Sequence, residues 1–253
     1  MNQIPVSVQL YTLRDECSND FLKTLKRTAE IGFNGVEFAG YHGVNPVELR
    51  KYLDEINLRA SGSHFVLKEM EANLEKHIET QQILGSKHLI IAYPYERMEK
   101  EAEYHELAKK LNTIGEKVHN AGLTLSYHHH EFELMDYEDG KTGLGIVLEE
   151  TNPEWVQTEL DVYWLTHAGK NPLEWMERYK NRLPLVHMKD MEKSADKAFA
   201  ELGTGVIDIK SITEKALQTK AEWLVVEQDV CKRPPLESIE ISYNYLKDLL
   251  VEA

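Results

Sequence analysis

The stretch Leu123-Thr124-Leu125-Ser126-Tyr127-His128-His129-His130-Glu131-Phe132-Glu133 is a β-prone run that ends abruptly in three histidines and two carboxylates. Leu123, Leu125 and Tyr127 alternate with Thr124, Ser126, His128 and His130, the period of a strand whose two faces meet different surroundings. Imidazoles and carboxylates at the end of such a run are costly unless they have a partner. A divalent metal is a partner that takes both. The pattern recurs downstream: Glu159-Leu160-Asp161, His187-Met188-Lys189-Asp190 and Glu227-Gln228-Asp229 each close a short apolar run. Four such strand ends predict one metal site assembled from distant parts of the chain.

Working outward, short β-prone runs alternate with longer amphipathic segments along all 253 residues. Strands are expected near 4–10, 34–39, 58–64, 87–92, 122–128, 155–161, 183–188 and 222–227. Helices are expected over 19–31, 45–56, 68–84, 100–120, 142–150, 171–180, 208–220 and 235–250. Gly32, Gly85 and Gly122 fall where helices end, and Asn45-Pro46 and Asn171-Pro172 read as a cap followed by proline at the first helical position. No Pro/Gly/Ser-rich linker or charge block divides the chain, so residues 1–253 are read as one domain. Eight β-then-α units in this length predict an α/β fold, a single (β/α)8 TIM barrel with its active site at the C-terminal ends of the strands. Gly203-Thr204-Gly205 lacks the third glycine and the placement of a dinucleotide-binding fingerprint.

Residues two apart on a strand share a face. Counting along the predicted strands sends Ser126, His128 and His130 inward from the fifth, Glu159 and Asp161 from the sixth, His187 and Lys189 from the seventh, and Glu227 and Asp229 from the eighth. The expected metal ligands are therefore His128, Asp161, His187 and Glu227, with Glu133 as the rival to His128. Two imidazoles and two carboxylates suit Mn²⁺, Zn²⁺, Co²⁺ or Fe²⁺ better than Ca²⁺, which prefers an oxygen shell. His129 faces away on this count and receives no metal role. Tyr11, Glu37 and His64 follow or end the first three strands and are expected to contact substrate. Trp164, just after Asp161, offers an apolar face to a sugar, although packing into the core is the commoner role of tryptophan. Gly203-Thr204-Gly205 follows the seventh strand, where barrels often bind phosphate, and reads equally as a hinge loop.

Composition narrows the partners. Hydrophobic residues make up 42% and charged residues 28%, enough apolar material for a sizeable core. The formal net charge of −14 argues against a nucleic-acid partner, because phosphate backbones are bound by an excess of Lys and Arg. No apolar run approaches the ~18 residues that span a membrane, and the N-terminus lacks the basic and apolar regions of a signal peptide. Cys17 and Cys231 are far apart and read as free thiols in a reducing compartment. A cytoplasmic protein is expected, with a small-molecule partner and room for a homo-oligomer.

The motifs Tyr127 to Glu133, Glu159-Leu-Asp-Val-Tyr-Trp164, Val186-His-Met-Lys-Asp190 and Leu224-Val-Val-Glu-Gln-Asp229 resemble the xylose isomerase-like TIM barrel superfamily. Within it they are similar to the sugar phosphate isomerase/epimerase branch that includes inosose dehydratases. Gln9 to Arg14, Gly32 to Glu37 and Leu202 to Val206 match as well, so the resemblance runs over essentially the whole chain. It implies a metal held by Glu, Asp, His and Glu from strands five to eight. Asp161, His187 and Glu227 match the last three, while His128 stands where many members carry the first glutamate, so that either His128 takes its place or His130 or Glu133 reaches the ion. The activity implied is isomerisation or epimerisation of a sugar, keto-sugar or cyclitol through an enediolate. Glu227 is expected to be the base, His128 or His130 to return the proton, and Lys189 to hold the developing oxyanion. A dehydratase would use the same groups, with His130 or Lys189 as the acid under a leaving hydroxyl. An endonuclease IV-type hydrolase fits poorly with the net charge, and a non-catalytic sugar-binding barrel rests only on the departure at His128.

Overall fold

In the computed structural model, which describes residues 4–93, 97–137 and 140–252, eight parallel strands close into a barrel. They are β1 (Val6–Gln9), β2 (Gly35–Phe38), β3 (Arg59–Val66), β4 (His88–Tyr93), β5 (Thr124–His128), β6 (Val156–Asp161), β7 (Leu185–Met188) and β8 (Trp223–Val226), with β8 pairing β1 to complete the circle. The helices are α1 (Arg14–Ile31), α2 (Pro46–Glu55), α3 (Leu67–Leu84), α4 (Glu101–Asn120), α5 (Gly143–Glu150), α6 (Val162–His167), α7 (Pro172–Arg178), α8 (Ile209–Ala216) and α9 (Pro235–Glu252). Among the described residues no helix is long and apolar enough to cross a membrane.

Strand alternation sorts the side chains into two apolar layers. Leu125, Tyr127, Leu160, Val186, Met188, Leu224 and Val226 belong to the large core between strands and helices. Ile90, Leu185, Trp223 and Val225 form a separate small cluster within the barrel. Above it the inward positions turn polar. Local chemistry starts the helices as expected: Asn45 and Asn171 accept hydrogen bonds from Val47 N and Leu173 N, each beside a proline at the first turn. Gly32 and Gly85 end α1 and α3 at φ values of 119° and 69°, a conformation that favours glycine.

Three features depart from the sequence reading. α1 starts at Arg14 rather than near 19, because it is two helical pieces joined at a non-helical Asp20; the Asp20 carboxylate accepts from Lys23 N and caps the second piece. α6 was not expected and is six residues long, started by Asp161, whose Oδ1 accepts from Tyr163 N at 2.9 Å and Trp164 N at 3.0 Å. A two-stranded ribbon, Asp190–Met191 against Phe199–Ala200, lies between β7 and α8.

Candidate active site

The functional side chains sit at the C-terminal ends of the strands, at the floor of a cavity of about 980 Å³ bordered by Tyr11, His64, His128, His130, Lys189 and Asp229. They fall into two groups at different depths, joined by His187.

The deeper group contains Glu37, His64, His128, Glu159 and His187. Glu37, Glu159 and His187 have no exposure, and His64 is the most open at 14%. His64 Nε2 lies 2.8 Å from Glu37 Oε1 and 2.9 Å from Glu159 Oε2. His187 Nε2 lies 2.8 Å from the same Glu37 oxygen and 3.2 Å from the same Glu159 oxygen. His128 Nδ1 is 3.0 Å from Glu159 Oε2, and Gln9 Nε2 donates to Glu37 Oε1 at 2.8 Å. Glu37 Oε2 and Glu159 Oε1 are buried without hydrogen-bond partners. Burial alone would lower the His64 imidazole, but the carboxylates of Glu37 and Glu159 outweigh it and raise it to about 9. Burial and the neighbouring His187 hold His128 well below its ordinary range.

The outer group is built round a lysine. Lys189 is 2% exposed, and its Nζ lies 2.5 Å from Glu227 Oε2, 2.8 Å from Asp229 Oδ1 and 3.0 Å from Asp161 Oδ2. The Asp161 contact is an ion pair without hydrogen-bond alignment, since Oδ2 has no aligned donor. His187 Nδ1 meets Glu227 Oε2 at 2.9 Å and stands 3.9 Å from Asp161 Oδ2. Burial opposes ionisation of Glu227, yet Lys189 and His187 hold it well below the usual carboxylate range. Burial wins at Asp229, which is pushed up to about 6 despite Lys189.

Ligand-type atoms of His64, His128, Glu159 and His187 lie within 4.8 Å of one another, as do those of Asp161, His187 and Glu227. Of the four ligands expected from the sequence, Asp161, His187 and Glu227 are thus together, and His128 shares a group with His187 but not with Asp161 and Glu227. The reason is register. β5 and β6 pair His128 with Glu159, while β6 and β7 pair Asp161 with His187, so the barrel's stagger sets His128 one level deeper. Glu133 is placed elsewhere. Its Oε1 accepts from the Tyr127 hydroxyl at 2.9 Å and its Oε2 from His130 N at 2.8 Å, on the helix side of the barrel, and burial pushes it up to about 7.

His130 borders the cavity with its Nδ1 buried and unpartnered, stacked on Phe132, and burial with Lys189 nearby drives it down to about 3. Tyr11 is exposed at the cavity mouth. Glu37, expected as a substrate contact after the second strand, lies within β2 beneath the other groups. Trp164 is half-buried against Tyr163, Phe199 and His130, with Lys189 Nζ 5.7 Å from its ring centre. His129 faces away, as the count indicated, and its Nε2 accepts from Asp161 N at 3.0 Å. Gly203-Thr204-Gly205 holds no open phosphate cradle, because its amides are turned onto a side chain of the same chain. Gly203 N, Gly205 N and Ile207 N donate to the Asp190 carboxylate at 3.0, 2.9 and 3.0 Å. Alternation puts Glu159 inward, but its place between His64, His128 and His187 was not expected from the sequence, where Asp161 at the strand's end is the more conspicuous carboxylate. The sequence reading also missed Asp229 as a partner of Lys189.

Inosose dehydratase from Lacticaseibacillus casei is 24% identical over 255 residues, which cover 85% of each chain. The structure of a sugar phosphate isomerase/epimerase from Parabacteroides distasonis superposes with a TM-score of 0.84 at 25% identity, over 98% of this chain and 94% of that one. A zinc-bound IolI protein shares the fold at a TM-score of 0.74 and 14% identity, over 98% of both chains. The description of the xylose isomerase-like TIM barrel fits residues 25–249, and with the closed barrel and its polar rim this shows that the chain belongs to the xylose isomerase-like TIM barrel family.

Proposed function

We propose that this protein is a divalent-metal-dependent isomerase or epimerase of an unphosphorylated keto-sugar or cyclitol, acting through an enediolate. The carrying observation is the convergence of imidazoles and carboxylates from β2, β3, β5, β6, β7 and the segment after β8 on the floor of one cavity. The donor chemistry fits Mn²⁺, Zn²⁺, Co²⁺ or Fe²⁺, and His187 would be a ligand in either group. When bound, the ion supplies Lewis acidity that stabilises negative charge on the substrate's oxygens.

The chain's own residues do the remaining work. Lys189 carries a fixed positive charge at the cavity wall, where a substrate oxygen gaining negative charge can take over one of its three carboxylate partners. That exchange frees the Glu227 carboxylate from its 2.5 Å pairing to remove the carbon-bound proton. Glu227 then returns that proton to the neighbouring carbon of the enediolate, so the isomerisation balances, while His130, neutral and with an unpartnered Nδ1, borders the cavity as a hydrogen-bond partner for a substrate hydroxyl. His64 and Tyr11 border the same cavity and contact the distal hydroxyls; Trp164 packs behind His130. The Gly203 and Gly205 amides are spent on Asp190 rather than open to a phosphate, which supports the unphosphorylated reading.

Dehydration is the second reading, favoured by Lys189, an acid on the cavity wall that can protonate a leaving hydroxyl, and by the likeness to inosose dehydratases. Product mass separates the two readings, since isomerisation conserves it and dehydration loses water. Incubated with keto-sugars and inososes in D₂O, the wild type is expected to exchange the carbon-bound proton. Glu227→Gln should lose at least ~10²-fold of that exchange at saturating metal. Undiminished exchange in the variant removes Glu227 as the base.

A further inference from the structure

The cavity over the strand ends is larger than the reacting groups need. Its floor carries Lys189 and Glu227, but its walls run outward past His64 to α3 and the loop between β2 and α2, where Tyr41, Val44, Lys76, His77 and Thr80 border it. The whole measures about 980 Å³, at the top of the ~300–1,000 Å³ range of sites that enclose drug-sized ligands. One sugar ring leaves much of it open.

Two backbone features shape this outer lobe. α3 is two helical pieces joined at Asn73, whose φ of −135° and ψ of 28° are not helical; Glu69 precedes the joint, and Lys76, His77 and Thr80 follow it. The facing loop holds Gly40, His42 and Gly43 at φ values of 97°, 49° and 76°. A residue with a Cβ, such as His42, rarely adopts a positive φ, and backbone strain of this kind collects at functional sites.

The lining has the two-sided character of a sugar ring. Val66 and Tyr93 are 44% and 37% exposed and offer an apolar face. Tyr93 stands edge-on to His130, 5.7 Å between ring centres, and Val66 follows His64 by two residues, so this face begins where the floor ends. A polar edge comes from α3. His77 is buried and packed on Phe65 at 4.3 Å, its Nε2 has no hydrogen-bond partner, and burial lowers its imidazole toward the neutral form. Thr80 lies one turn further along the helix. Glu69 and Lys76 bring one charge of each sign, so the lobe offers an ionic group no net attraction. A neutral ring with C–H groups on its face and hydroxyls on its edge matches this lining, whereas a phosphate or an acyl chain does not.

We propose that the substrate is a two-ring keto-glycoside, with the reacting ring over Lys189 and Glu227 and a second sugar ring in the lobe between α3 and the β2–α2 loop. The proposal rests on the enediolate reading and extends it. Contacts to the remote ring hold the reacting ring against Glu227.

Proton exchange in D₂O by the Mn²⁺-loaded protein, compared between 3-ketoglucose and the disaccharides 3-ketomaltose, 3-ketocellobiose and 3-ketolactose, tests this. At least one disaccharide is expected to exceed the monosaccharide about tenfold or more in kcat/KM, and Thr80→Phe, which narrows the lobe, should bring that ratio down to about 1. The wild-type comparison stands by itself if the variant fails to fold. Exchange with no disaccharide preference, or a preference that Thr80→Phe leaves intact, overturns the second ring and leaves the enediolate reading standing. Where no sugar exchanges, the enediolate reading falls, and calorimetry with glucose, maltose, cellobiose and lactose decides the lobe. A Kd at least about tenfold lower for a disaccharide keeps it, and equal or absent binding removes it as well.

Discussion

Asp161 and Glu133 show how much a carboxylate's role depends on what reaches each of its oxygens. Asp161 gives one oxygen to the first turn of α6 and turns the other toward Lys189. Glu133 has both oxygens occupied, by Tyr127 and by the His130 amide, in a site with no cation beside it. Burial therefore raises it from an ordinary 4.5 to about 7. The folded chain keeps a proton there that the unfolded chain releases. Stability is then greatest below the ordinary carboxylate range and declines as pH rises through about 7. The decline from this group is on the order of 3 kcal/mol. Urea unfolding at pH 5 and pH 8 should show that slope in the wild type and a flatter one in Glu133→Gln. Equal slopes would place the effect elsewhere.

At the scale of elements, the segment after β7 is organised round one side chain. Asp190 accepts from its own neighbour Met191 N at 2.8 Å and from Gly203 N, Gly205 N and Ile207 N. A Cβ on Gly205 would collide with the Asp190 carboxylate and the Met191 carbonyl, so only glycine lets the loop close this tightly. Asp190→Ala leaves four amides without an acceptor and is expected to cost about 3–5 kcal/mol, read as a fall in Tm. A loss below ~1 kcal/mol would mean that water replaces the carboxylate. The start of α2 is a smaller case: Asn45→Ala removes the bond to Val47 N and should cost about 1 kcal/mol in the same assay.

For the whole molecule, closing the sheet brings buried charge from six strand ends to one place. Five carboxylates (Glu37, Glu159, Asp161, Glu227 and Asp229) face one lysine and three imidazoles (His64, His128 and His187). A divalent ion bound only by the folded barrel stabilises it by mass action. At a metal concentration of 100 Kd the gain is about 2.7 kcal/mol, which raises Tm by roughly 5–10 °C for a chain of this size. Thermal unfolding with Mn²⁺, Zn²⁺ or Co²⁺, against the chelator-treated protein, reads it directly. An unchanged Tm with every ion would count against metal dependence.

The sequence by itself determined the eight-unit alternation, the inward and outward faces of β5 to β8, and the arrival of His128, Glu159, Asp161, His187, Lys189 and Glu227 inside the barrel. Those follow from a two-residue period and from helix caps, which are local. It did not determine depth. His128 belongs beside Glu159 rather than Asp161 because of pairing register, which neighbouring strands set and no single strand records. Nor did it show that Glu37 and His64 close a ring with Glu159 and His187, since β2 and β3 meet β6 and β7 only across the barrel's interior. α6 and the Asp190 loop were hidden for a related reason: each depends on one carboxylate whose amide donors are decided by the folded chain. Periodicity is written along the chain, whereas the partner of a buried charge exists only once the barrel has closed.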